Sequence, residues 1–172
     1  MKECDIVFIH HKEPHFFSKA IEFFTDGYFS HVALATSDSW IIDITSKGIV
    51  FESINKYIGN CHVIQIGRFP LSTQEIFIIR NFAFGQMNKG YDLKQIVWNF
   101  TWTAAKKLQL LKFSRKLYNM NKAYEGFTCS EFIARAFREA GINLVQSYSN
   151  CSPQNLFDNP KIEKIEYVKG GV

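Results

Sequence analysis

With 172 residues, 47% of them hydrophobic and 16% aromatic, the chain carries enough apolar material for a single domain with its own core. Charged residues make up 21% and only four prolines and ten glycines occur, which excludes a disordered chain or a fibrous repeat. A net charge of +4 is too mild to call for a nucleic-acid groove, and nucleic acid is not expected as a partner.

The chain opens on Met1-Lys-Glu-Cys-Asp-Ile-Val-Phe-Ile-His-His-Lys-Glu-Pro14, which lacks the long apolar stretch of a secretory signal. No apolar run reaches the length of a bilayer span, so a cytoplasmic protein is expected. Asp5 to Ile9 reads as a buried strand, and Phe16, Phe17, Ala20, Ile21 and Phe24 recur at helical spacing before Gly27. Four β-like runs follow, Ser30–Ala35, Trp40–Ile44, Gly48–Glu52 and Cys61–Ile66, separated by turn formers. Their short links predict an antiparallel meander. Ser72 and Glu75 stand in capping-box register, and the run from Glu75 to Met87, apolar on more than one face, predicts a buried helix ending near Gly90.

Gly90-Tyr91-Asp92 then leads into a stretch without Asp or Glu from Leu93 to Tyr124. Lys94, Lys106, Lys107, Lys112, Arg115, Lys116 and Lys122 are interleaved there with Trp98, Phe100, Trp102, Phe113 and Tyr118. Residues 93–121 are expected to form a helical insertion or cap. Its composition suits a substrate lid or an anionic membrane surface, although a solvated basic face explains most such runs.

The clearest helix runs from Gly126 to Gly141, with Thr128 and Glu131 in capping-box register. That register makes Cys129 the first helical residue, where unpaired backbone N–H groups and the positive end of the helix dipole favour a thiolate. The same N–H groups near Cys129 are the expected oxyanion donors. The plainer alternative is a small hydrophobe filling a helix end. Phe132, Ile133, Ala136, Phe137 and Ala140 form the apolar face, opposite Arg135, Arg138 and Glu139.

A thiol nucleophile needs a base, and His31 shares a strand face with the small Ala33 and Ala35. Asp43 interrupts the apolar run Trp40-Ile-Ile-Asp-Ile, where a carboxylate needs a partner such as an imidazole N–H on a neighbouring strand. Cysteine, histidine and carboxylate together make a generalised triad, although a satisfied strand histidine and a water-facing aspartate are ordinary features singly.

Asp5-Ile-Val-Phe, Ser30-His31-Val-Ala-Leu, Trp40-Ile-Ile-Asp43, Gly48-Ile-Val, Gly90-Tyr91-Asp92, Thr128-Cys129-Ser-Glu-Phe-Ile and Ser152-Pro153-Gln-Asn-Leu156 occur in that order. In this order they resemble permuted NlpC/P60-like hydrolases, in particular the YiiX/YebB-like branch, and more distantly the lecithin-retinol acyltransferase-like proteins. The resemblance spans nearly the whole chain except residues 93–121. It implies an α+β, papain-like fold of circularly permuted chain order, with an antiparallel sheet packed on the cysteine-bearing helix. It further implies Cys129 as nucleophile and His31 as general base, with Asp43 in a third position that more often holds Glu or His. Tyr91 and Asp92 match an element near the cleft. The family's usual glycine before the first strand's aspartate is replaced by Cys4.

The activity this implies is cleavage of amide bonds in peptides, isopeptides or cell-wall peptides through a thioester. A lipid ester or thioester hydrolase or acyltransferase is the alternative, and an inactive binding module the second. The expected partner is accordingly a peptide-like or acyl substrate, and no cofactor is expected; the sequence leaves the oligomeric state open. A metal site built from His10, His11, His15, Cys61 and His62 is disfavoured, because His10 and His11 point to opposite faces of a strand end and no second ligand pair has zinc-like spacing. His11 is retained as a candidate for substrate binding. Cys4, Cys61 and Cys151 read as packing residues.

Overall fold

The computed structural model describes residues 1–10, 27–45, 48–58, 63–87, 128–146, 148 and 151–167. The expected helix between Pro14 and Phe24 and the basic-aromatic insertion at 93–121 lie outside the described residues.

Ile6, Val7, Phe8 and Ile9, all fully buried, make β1 (Ile6–His10) a strand covered on both faces. It is flanked by β2 (His31–Ala35), followed by β3 (Trp40–Thr45) and β4 (Gly48–Ser53). A single helical turn, α1 (Asn55–Ile58), precedes β5 (Val63–Arg68). Then come α2 (Thr73–Gly85), α3 (Cys129–Glu139), α4 (Pro153–Phe157) and β6 (Glu163–Glu166). The result is a mixed α+β arrangement around a six-stranded antiparallel sheet in the order β4-β3-β2-β1-β5-β6.

The expected meander holds for β2 to β4 only. β5 does not continue from β4 but crosses to the open edge of β1, with Val7 opposite Ile66. Arg68 seals that pairing with a two-pronged hydrogen bond to Asp5, at 2.9 and 2.7 Å. Asp5 is 2% exposed, so its carboxylate depends on that fork and on the Lys2 N–H. Periodicity reveals that a segment is a strand but not which edge it joins, which is why the crossing was missed. β6 was missed too: it is a largely exposed edge strand with one apolar residue, Ile165.

The strands alternate between two apolar layers. Ile6, Phe8, Val32, Leu34, Ile42 and Ile44 face α2 and α3, meeting Ile79, Ala83, Phe132, Ile133, Ala136 and Phe137. Val7, Ile9, Ala33, Ala35, Ile41 and Ile66 form the other layer with Ile54 and Tyr57. Each fully buried large side chain, such as Phe8 or Phe132, contributes about 1.5–3 kcal/mol to this packing. Gly67 is required by the first layer: a Cβ there would come within 2.5 Å of the Phe8 ring and 2.7 Å of Ile162.

The capping box of α2 forms as expected between Ser72 and Glu75. The helix itself is not buried as expected: only Ile79 and Ala83 are, while Phe77 and Phe84 are 55% and 41% exposed. At α3 the box is half formed. Thr128 accepts from the Glu131 N–H at 3.2 Å, but the Glu131 carboxylate turns to Arg135 at 2.7 Å instead of back to the cap. The helix ends as predicted. Gly141, at φ +80°, lets its own N–H reach the Arg138 carbonyl and that of Ile142 reach Phe137, which satisfies the last carbonyls.

Cys4, the residue standing where a glycine was expected, has φ 64°, the left-handed region that glycine occupies without penalty. Its N–H is held by the Ala35 carbonyl at 2.8 Å and its side chain is buried, so packing sustains the conformation.

Candidate active site

Three of the residues singled out in the sequence meet at one end of the sheet. His31 is the first residue of β2 and Asp43 lies in β3, on the face that Ala33, Ala35 and Ile41 share. Cys129 opens α3, which packs on the opposite face against Val32 and Leu34. The thiol and the carboxylate therefore approach the histidine from different sides of the sheet.

What joins them is a break between β2 and β3. The Ala35 N–H and C=O both point to β1, bonding the Asp5 carbonyl and the Cys4 N–H. By strand parity, the backbone groups of Val32 point to β3. Among the described residues, β2 and β3 pair only at Leu34–Ile42 and Ala35–Ile41. Val32 is thus released from the ladder, and its N–H donates to the Cys129 sulfur instead.

The His31 Nε2–H donates to Asp43 Oδ1 at 2.5 Å, which leaves Nδ1 to face the Cys129 thiol, its other side-chain partner. Asp43 is fully buried, and its other oxygen is also engaged: Oδ2 accepts from Lys56 Nζ at 2.7 Å and from the Tyr57 hydroxyl at 2.7 Å. Lys56 also bonds Glu52, four residues earlier in β4. Both donors come from α1, whose role was not read from the sequence. The signal available was Asp43 itself, because a carboxylate buried in an apolar strand needs more than one donor.

The electrostatics follow from these contacts. Burial opposes the charge on His31, but the Asp43 carboxylate and the Cys129 sulfur outweigh it and raise the imidazolium to about 10. Burial likewise opposes a thiolate at Cys129, yet the His31 charge and the hydrogen bonds from His31 and Val32 hold its pKa below that of an ordinary thiol. Asp43 is held well below the usual carboxylate range: burial resists ionisation, and the His31 charge, with Lys56, overcomes it. These contacts shift the balance toward a thiolate–imidazolium pair over an ionised aspartate. Cys4 and Cys151 behave oppositely, since burial pushes both thiols up to about 12.

Tyr91, Asp92 and His11 lie outside the described residues, as do His15, Cys61 and His62. His10 is described, and its imidazole stacks on the Tyr28 ring at 4.0 Å, with Nδ1 donating to the Tyr28 carbonyl at 2.7 Å. Among the described residues no group of three His, Cys, Asp or Glu side chains is placed to hold a metal ion. Among the same residues no helix is long and apolar enough to cross a membrane.

A scan of protein-family models matches none, and a search of curated proteins returns no significant match. Among solved structures, the crystal structure of the metalloprotein YiiX from Escherichia coli O157:H7, DUF1105, aligns with 95% of this chain and 96% of its own at a TM-score of 0.64. The sequence identity is 16%, so the likeness is one of fold: this chain has a YiiX-like fold.

Proposed function

We propose that this protein is a cysteine hydrolase of papain-like, circularly permuted architecture that cleaves amide bonds through an acyl-enzyme on Cys129. The observation that carries the reading is the continuous chain of contacts from Cys129 through His31 to the buried Asp43. The Cys129 thiolate adds to the substrate carbonyl, and the developing oxyanion lies beside the free N–H groups at the start of α3. His31 Nδ1–H then protonates the leaving nitrogen as the C–N bond breaks, leaving a thioester and a neutral imidazole. Neutral His31 next takes a proton from water, whose oxygen attacks the thioester and expels Cys129 as thiolate, with the proton kept on His31.

The test is acylation by p-nitrophenyl acetate and by fluorogenic peptide amides, with the modified residue located by mass spectrometry. A thioester at Cys129, absent in Cys129→Ala and His31→Ala, supports the reading. Turnover that survives in Cys129→Ala overturns it. Because the same intermediate serves esters and thioesters, the relative rates on amide and acyl-thioester substrates decide between a peptidase and a lipid-acyl hydrolase.

A further inference from the structure

Asp43 is shared. One oxygen serves His31, and the other takes two donors from α1, the Lys56 ammonium and the Tyr57 hydroxyl, each at 2.7 Å. Asp43 is fully and Tyr57 93% buried, while Lys56 reaches the carboxylate from a side chain that is 33% exposed. A histidine–carboxylate pair needs only one donor on the carboxylate to fix the ring, so a cation and a buried hydroxyl on the second oxygen ask for their own explanation.

That explanation lies in the charge change of the reaction. In the resting site the His31 imidazolium compensates Asp43. Once His31 has given its proton to the leaving group, the thiolate and the imidazolium are both gone and Asp43 is left as a buried anion. Without another cation such an anion reclaims a proton or holds the next one too tightly. We propose that Lys56 and Tyr57 are positioning residues that share the Asp43 carboxylate with His31, keeping it ionised and in place when the imidazole is neutral and so leaving His31 able to act as base on water. This rests on the hydrolase reading above.

The groups facing His31 are Asp43 from β3, Tyr57 and Lys56 from α1, Cys129 from α3, and Glu52 of β4 through its bond to Lys56. They fix the sign of the effect. Removing the Lys56 charge leaves Asp43, with Glu52 behind it, compensated by His31 alone, so the imidazole holds its proton more tightly. Loss of mere structural support does the opposite: Asp43 drifts away and His31 relaxes toward the ordinary histidine value near 6.5.

The experiment is an imidazole nitrogen NMR titration of His31 in full-length Cys129→Ala, which lacks the thiolate just as the acyl-enzyme does. It is compared with the same protein carrying Lys56→Met, Tyr57→Phe or Lys56→Arg. The expected result is an upward move of the His31 midpoint by about one pH unit for Lys56→Met, a smaller rise for Tyr57→Phe, and restoration by Lys56→Arg. A midpoint that falls or stays put in both Lys56→Met and Tyr57→Phe overturns the proposal. With Cys129 intact and p-nitrophenyl acetate as probe, Lys56→Met should keep the acylation burst and lose about tenfold in steady-state turnover, as the neutral fraction of His31 falls tenfold. An unchanged steady state also overturns it. If Cys129 forms no acyl-enzyme in the wild type, the hydrolase reading fails, while the NMR midpoints still decide how Asp43 is shared.

Discussion

Replacing His31 by alanine tests the ion pair where its consequences are largest, in the ionisation of Cys129. An ordinary thiol, with a pKa near 8.5, is about 3% thiolate at pH 7. Without His31 the strongest remaining influence on Cys129 is burial, which raises its pKa, opposed by the Val32 N–H, so the variant is at most about that ionised. The thiolate fraction of Cys129 at pH 7 thus falls to about 3% or less when His31 is removed. The higher-pKa sulfur is intrinsically more reactive, so the alkylation rate falls by less than the thiolate fraction at pH 7, and the fall grows as the pH is lowered. The assay is iodoacetamide labelling between pH 5 and 10, resolved by cysteine in the mass spectrometer. Cys4 and Cys151 are internal controls: with thiols at about 12, about one molecule in 10⁵ is ionised at pH 7. If Cys129 in the wild type follows an ordinary thiol profile, or if His31→Ala leaves its profile in place, the thiolate–imidazolium pair does not exist and the catalytic reading goes with it.

Hydrolysis should follow a bell-shaped pH profile. Its acid limb marks protonation of Cys129, and its alkaline limb, near pH 10, marks loss of the imidazolium proton needed by the leaving group. Asp43→Asn removes the main influence that raises His31, so the alkaline limb moves to lower pH and turnover falls on the order of 10²- to 10⁴-fold. The same change strips a buried anion from its three donors and costs about 2–3 kcal/mol in denaturant unfolding; wild-type turnover in this variant would refute the role of Asp43. Gly67→Ala forces a Cβ to within 2.5 Å of the Phe8 ring and costs about 1–3 kcal/mol, so an unchanged urea midpoint would contradict the packing described. At Cys4 the left-handed backbone reverses the usual order: Cys4→Gly should be at least as stable as Cys4→Ala by thermal unfolding, because alanine keeps a strain of about 1 kcal/mol that glycine removes.

The parts of this chain that were legible in the sequence are those set by local chemistry. Thr128 before a strongly amphipathic run placed Cys129 at the first position of α3, because a side-chain cap and a hydrophobic period both act within one turn. Strand alternation put His31 with Ala33 and Ala35, and an aspartate in an apolar strand announced a buried partner. What was not legible depends on contacts between segments distant in the sequence. The crossing of β5 to the far side of β1 joins segments such as those of Asp5 and Arg68, 63 positions apart and hydrogen-bonded across it, and no periodicity encodes it. α1 is too short to leave a helical pattern, and no local signal marks Lys56 and Tyr57 as partners of Asp43. The apolar residues of α2 lie on more than one face and predict a buried helix, whereas only Ile79 and Ala83 are fully buried and Ile76 and Phe82 pack partly against the core.

The sheet explains why these particular groups meet. A thiol held by the helix layer and a carboxylate held in the opposite layer stand on different faces of a continuous sheet, separated by its backbone. Ending the β2–β3 ladder at Leu34–Ile42 solves this at one place, since it frees the Val32 N–H for the sulfur and lets the His31 ring bridge both faces from the strand end. The cost is a carboxylate with no solvent on the far side, and α1 meets that cost with two donors on the oxygen that His31 does not use. The same geometry makes the pieces interdependent. Extending the ladder to Val32 would remove the sulfur's backbone donor, and losing α1 would leave Asp43 dependent on His31 alone.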